Sequence, residues 1–138
     1  MLEHVAGPGL RFHHIGVACA DLDVETRRLA VLGYVAEGPD FEDPVQGVRG
    51  RFLGGQAPRL ELLVQTEAQG VLDPWLASGT KLYHLAYEAD DLAIAVDTLR
   101  REGARVVVPA VPAVAFDGRQ ITFLLLRTML LVELIAAP

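Results

Sequence analysis

A single cysteine, Cys19, stands in 138 residues. It cannot form an intrachain disulfide framework, and it suits a reducing compartment such as the cytoplasm. In an apolar segment it reads as a small buried hydrophobe rather than a nucleophile. Basic residues are also scarce. Twelve Lys and Arg against 18 Asp and Glu leave a formal charge of −6, so the cationic stripe that nucleic acid requires is missing. No charged-then-apolar leader opens the chain. The apolar tail from Ile121 to Pro138 is interrupted by Arg127 and Glu133, which excludes a membrane span. No glycine loop of the kind that cradles phosphate follows a strand pattern, and Gly103 and Gly118 read as cap and turn residues. What the chain does have is apolar residues, 51% against 22% charged, the balance of a soluble domain with a real core.

It also has a repeat. Phe12-His13-His14-Ile15-Gly16-Val17 is answered by Leu82-Tyr83-His84-Leu85-Ala86-Tyr87 at an offset of 70. The same offset carries Asp21 onto Asp91, Leu29 onto Leu99, Gly33 onto Gly103 and Pro39 onto Pro109. Leu60-Glu61-Leu62-Leu63 returns as Val132-Glu133-Leu134-Ile135, offset by 72. The chain is a duplicated unit, with one His near the first strand and one Glu near the last strand of each copy.

Hydropathy periodicity supplies the elements. Residues 1–10, with three glycines or prolines, read as a loose lead-in containing His4. Strands are predicted at 11–18, 34–37, 48–53 and 59–64, with Gly54-Gly55 in a turn, and a helix from the Asp21 cap to about Leu32, stopped by Gly33. The second copy repeats the order. A strand at 82–87 precedes a helix capped by Asp90 or Asp91, in which Leu92, Ala95, Val96 and Leu99 form one stripe. Strands at 105–108, 120–126 and 130–135 follow. Pro74-Trp75-Leu76 opens a linking helix. The expectation is an α+β fold: one domain over 11–138, built from two βαβββ modules (about 11–65 and 81–136, linker 66–80) that form a concave mixed sheet with helices outside.

The chemistry lies in His14, Glu61, His84 and Glu133. Side chains alternate along a strand, so each Glu points away from the apolar residues on either side of it. If those residues face the helices, both carboxylates face the concave side. A buried carboxylate needs compensation, and a divalent cation held by two imidazoles and two carboxylates provides it. Zn, Ni, Co, Mn or Fe all suit such donors. His13 must point the opposite way to His14 and reads as packed or solvated. Arg49, Arg51 and Arg119 read as solvated charge rather than as anion contacts.

The pattern resembles the vicinal oxygen chelate superfamily, which includes glyoxalase I, methylmalonyl-CoA epimerase, bleomycin-resistance proteins and extradiol dioxygenases. The resemblance covers residues 11–136. Its epimerase-like text is His14-Ile15-Gly16-Val17-Ala18-Cys19, Gln46-Gly47-Val48, Trp75-Leu76-Ala77, Tyr83-His84-Leu85-Ala86-Tyr87 and Val132-Glu133-Leu134. It implies a glyoxalase-like fold around one divalent metal, with His14, Glu61, His84 and Glu133 as ligands. It implies an enzyme, an isomerase or lyase that moves a proton on carbon next to a carbonyl, with Glu133 and Glu61 as bases and a small carbonyl or acyl-thioester substrate. There are departures. Epimerases have Gln where this chain has Glu61, and a glutamate where alignment places Gly50; Arg27-Arg28-Leu29 and Arg127-Thr128-Met129 replace features of glyoxalase I. A sequestering protein of the bleomycin-resistance type is the alternative. Dioxygenase chemistry is disfavoured by the extra Glu61. The apolar closing hairpin, Phe123–Leu126 and Met129–Leu131, leads to the expectation of a homodimer.

Overall fold

A computed structural model describes residues 9–138. The predicted lead-in and His4 therefore fall largely outside the described residues. The strands are β1 (Leu10–Ala18), β2 (Val35–Asp43), β3 (Val48–Gly54), β4 (Leu60–Gln65), β5 (Leu82–Ala89), β6 (Arg105–Pro112), β7 (Gln120–Leu125) and β8 (Leu131–Ala136). The helices are α1 (Leu22–Ala30), α2 (Asp73–Ser78) and α3 (Leu92–Arg101), with a 3-10 turn at Val114–Phe116. The fold is α+β. Among the described residues, no helix is long and apolar enough to cross a membrane.

Two compact units divide the chain, residues 14–83 and residues 9–13 with 84–138. In the first the strand order is β2-β3-β4-β1 and in the second β5-β8-β7-β6. β1 runs parallel to β4, and β5 runs parallel to β8. The other pairings within each unit are antiparallel.

Each unit packs one helix on one sheet face for reasons visible in its residues. Asp21 accepts a hydrogen bond from the Val24 amide (2.9 Å), and Asp91 accepts one from the Ile94 amide (3.1 Å). Each satisfies a donor that a helix start leaves open. The cap of α3 is thus Asp91; Asp90 instead pairs with Arg11 at 2.6 Å. Leu60, Leu62 and Val64 alternate onto the α1 side, packing with Leu22 and Leu29. Val132 and Leu134 meet Leu92, Ala95, Val96 and Leu99 of α3 in the same way. Gly33 and Gly103 follow the helices at φ +98° and +96°, where any side chain would be strained. Cys19 is buried in the α1 core, and burial pushes its thiol up to about 11, as an inert apolar residue requires.

The second strand of each unit is longer than its periodicity suggests. β2 and β6 continue past Pro39 and Pro109 because their ladders bulge there, between Glu37 and Phe41 and between Val106 and Val111. Both lie at the outer end of their unit's strand order, where a missing amide donor is tolerated.

Two arginines read as solvated charge instead tie elements together. Arg51 grips Asp40 through two bonds (2.7 and 2.8 Å), reaches Asp23 at 3.0 Å and donates to the Thr26 hydroxyl. Arg119 donates to Glu88 (2.5 Å) and to the Ala136 carbonyl (2.7 Å). These guanidiniums hold the Asp40 and Glu88 carboxyls below their ordinary range. A depressed carboxyl pKa means that the unfolded chain binds the proton more tightly, so this stabilisation is full at neutral pH and is lost on acidification below about pH 4. Arg51→Ala should cost about 1 kcal/mol at pH 7 and make the decline in stability between pH 5 and 2 shallower. Urea titrations across that range check both; an unchanged slope would contradict the assignment.

Candidate functional site

In the first unit, His14 on β1 and Glu61 on β4 are both buried. Nε2 of the imidazole lies 3.1 Å from Oε1 of the carboxylate. The parallel register sets Gly16, not His14, beside Glu61. A residue without a side chain there leaves the space next to the carboxylate to the imidazole two positions earlier, on the same face. The sequence predicts that Leu60 and Leu62 face the helix while Glu61 faces away, and the packing has that arrangement.

The second unit repeats this arrangement. His84 on β5 and Glu133 on β8 are buried, again 3.1 Å apart through Nε2 and Oε1. The register partner of Glu133 is Ala86, small for the same reason. Each pair has a third member, an aromatic ring that periodicity alone does not single out. Phe52 lies in register with Glu61 and stands edge-on to His14 (5.4 Å, 78°). Phe123 lies in register with Glu133 and edge-on to His84 (5.1 Å, 88°). The offset between these phenylalanines is 71, between those of the histidines and the glutamates. The repeat matches the two phenylalanines with each other, but only the strand register sets each one beside a glutamate.

The donor set fits a divalent metal. All four residues are buried and each offers one ligand atom. Nε2 and Oε1 of each pair lie side by side at 3.1 Å, and imidazole with carboxylate is a donor combination that first-row divalent ions accept. With a neutral imidazole each pair carries one negative charge beside an aromatic ring, the sign and donor types that a divalent cation takes up.

The remaining candidates are placed elsewhere. His13 points away from His14 and meets the ring of Phe116 edge-on at 5.4 Å. Arg51 and Arg119 are committed to the ion pairs described above. Arg49 is exposed. Gly50 lies beneath the ring of Phe41: a Cβ there would stand 2.8 and 2.9 Å from two ring carbons.

Paired βαβββ units, each with a buried His–Glu pair, define a glyoxalase-like fold, and the chain belongs to the Glyoxalase/Bleomycin resistance protein/Dioxygenase superfamily, matched over residues 13–123. The proteins it resembles include methylmalonyl-CoA epimerases. The ethylmalonyl-CoA/methylmalonyl-CoA epimerase of Cereibacter sphaeroides is 29% identical over 118 residues, 83% of this chain and 87% of that protein. The crystal structure of methylmalonyl-CoA epimerase from Mycobacterium tuberculosis superimposes with a TM-score of 0.79 at 26% identity, covering 100% of this chain and 94% of that one. A Streptomyces coelicolor methylmalonyl-CoA epimerase variant, in complex with 2-nitronate-propionyl-CoA, gives 0.77 at 29% identity, covering 96% and 99%.

Proposed function

We propose that the chain is a metal-dependent isomerase of the epimerase type, moving a proton on the carbon between the two carbonyl groups of a malonyl-type acyl thioester. The observation that carries this reading is the buried His–Glu pair at 3.1 Å that recurs in both units. The named epimerases among its relatives supply the substrate class. His14, Glu61, His84 and Glu133 would together hold one ion: Zn, Ni, Co, Mn or Fe. Such an ion supplies positive charge to the carbonyl oxygen as the neighbouring carbon loses its proton.

The protein's own groups do the rest. Glu133 is the base that removes the proton, and Glu61 serves the opposite face of the reacting carbon. Phe52 and Phe123 hold the imidazoles edge-on and keep water from the carboxylates, which strengthens their electrostatic interactions. The test is deuterium uptake at C2 of methylmalonyl-CoA in deuterated water, before and after chelation. Uptake that vanishes with the metal supports the proposal; uptake at the rate of free thioester in both cases rejects it.

A second reading has one observation in its favour. Gly50, where alignment with the epimerases calls for a glutamate, is covered by Phe41 and offers no acid. A protein that binds a small molecule without turning it over would need none.

The reading includes a homodimer in the cytoplasm. Met129 and Leu130 in the closing hairpin are 69% and 42% exposed, and exposed apolar tips of this kind favour a partner. Light scattering should give twice the single-chain mass at micromolar concentration. Replacing both residues with Asp should return it to the single-chain value. A single-chain mass in the wild type would exclude the dimer.

A further inference from the structure

On the face of the first unit that carries His14 and Glu61, one position of the third strand is filled from a neighbouring strand. Gly50 is in register with Leu63 on β4 and with Phe41 on β2, as Phe52 is with Glu61. Register partners on antiparallel strands point to the same side, so Phe41, Gly50, Phe52 and Glu61 share that face. The tip of the Phe41 ring occupies the place that a side chain at Gly50 would take. From there the aromatic surface is continuous. Phe41 and Phe52 have ring centroids 5.8 Å apart, and Phe52 meets His14 at 5.4 Å. Both rings are half-buried, so each still presents surface.

Among the described residues of the other unit this arrangement does not recur. There the corresponding positions are Val111 and Ile121, two aliphatic residues in register. Among the described residues, a ring seated on a glycine at this position stands on the side of Glu61 and not on that of Glu133. A phenyl face neither takes up a proton nor holds a carboxylate, so hydrocarbon is what packs favourably against it. We propose that Phe41, seated on Gly50, is a specificity-determining residue: it forms the wall against which the alkyl substituent of the reacting carbon packs, and it limits that substituent to a short chain. The inference rests on the acyl-thioester reading above and adds to it the nature of the substituent.

The test compares the metal-loaded wild type with Phe41→Leu and Phe41→Ala. The probes are the coenzyme A thioesters of methyl-, ethyl- and propylmalonate, followed by calorimetric binding and by deuterium uptake at C2. In the wild type, affinity should fall from ethyl to propyl. In Phe41→Ala the space over Gly50 opens, and each newly buried methylene is worth about fourfold. Propyl exceeds methyl by two methylenes, so the ratio of propyl to methyl affinity should rise by up to about 16-fold. Phe41→Leu should move it part of the way, and as the milder change it keeps the test sound if Phe41→Ala folds poorly. An unchanged ratio in both variants overturns the proposal, and so does an equal loss of affinity for all three thioesters. If the ratio shifts as expected but no protein takes up deuterium, the role of Phe41 stands and the epimerase reading falls. A wild type that binds none of the three overturns both.

Discussion

His14→Ala and His84→Ala should each abolish stoichiometric metal binding, not halve it. Each unit contains its own His–Glu pair with the same 3.1 Å separation. If each pair served an ion of its own, removing one histidine would leave half the metal in place. If all four residues serve one ion, either substitution removes one ligand of four and weakens affinity by well over the roughly 10- to 100-fold that loss of an outer-sphere partner costs. Metal content per chain, measured after dialysis, separates the two cases. One ion per chain in the wild type and close to none in either variant is the expected result. A variant retaining half would rule out the shared site, and undiminished content in both would rule out the ligand assignment. Thermal stability gives an independent readout. Binding at a free concentration 1,000-fold above Kd stabilises the native state by about 4 kcal/mol. For a chain of this size that is a shift in Tm of about 10 °C, reversed by chelation and absent from both variants. Acidification should release the ion as well, because imidazole coordinates only when deprotonated.

The residues that make this experiment worthwhile are visible in the sequence because they are repeated. An offset of 70 links His14 to His84, and one of 72 links Glu61 to Glu133. A polar residue placed between leucines on a strand must face away from the core those leucines build. Both helices are legible for the same kind of local reason, a capping Asp and a following Gly. Phe52 and Phe123 are not legible in this way. A phenylalanine in an apolar strand is ordinary core material, and its position beside a glutamate depends on which strand pairs with which and in what register. The full lengths of β2 and β6 were hidden by Pro39 and Pro109, since proline marks a strand end unless a bulge on an outer strand accommodates it. Arg51 and Arg119 look like solvated charge because their partners, Asp40 and Glu88, lie 11 and 31 residues away along the chain. The seat of Phe41 on Gly50 is a cross-strand contact between residues nine positions apart. Periodicity does not report it.

Glu133→Gln and Glu61→Gln should each lose deuterium exchange with one stereoisomer of methylmalonyl-CoA and keep it with the other. An epimerase with a base on each face of the reacting carbon removes the proton from one side and delivers it from the other. Each base is therefore essential for abstraction from only one stereoisomer. Glutamine keeps the size of the side chain and one oxygen for the metal but cannot take up a proton at neutral pH. The affected stereoisomer should exchange about 100-fold more slowly or worse, as general-base loss typically costs, while metal content holds. Glu61→Gln is the sharper of the two tests. Gly50 offers no acid and Phe41 covers the position, so among the residues facing that side of the first unit Glu61 is the carboxylate placed beside the histidine. If it is a base, its loss stops interconversion of the stereoisomers even though one of them still exchanges. If it is a ligand only, Glu61→Gln keeps both its metal and its interconversion, and a one-base mechanism centred on Glu133 takes the place of the two-base one. A metal-loaded wild type that binds the thioester tightly and exchanges neither stereoisomer would instead mark the chain as a sequestering protein. In that case the buried carboxylates serve only to hold the ion that grips the ligand.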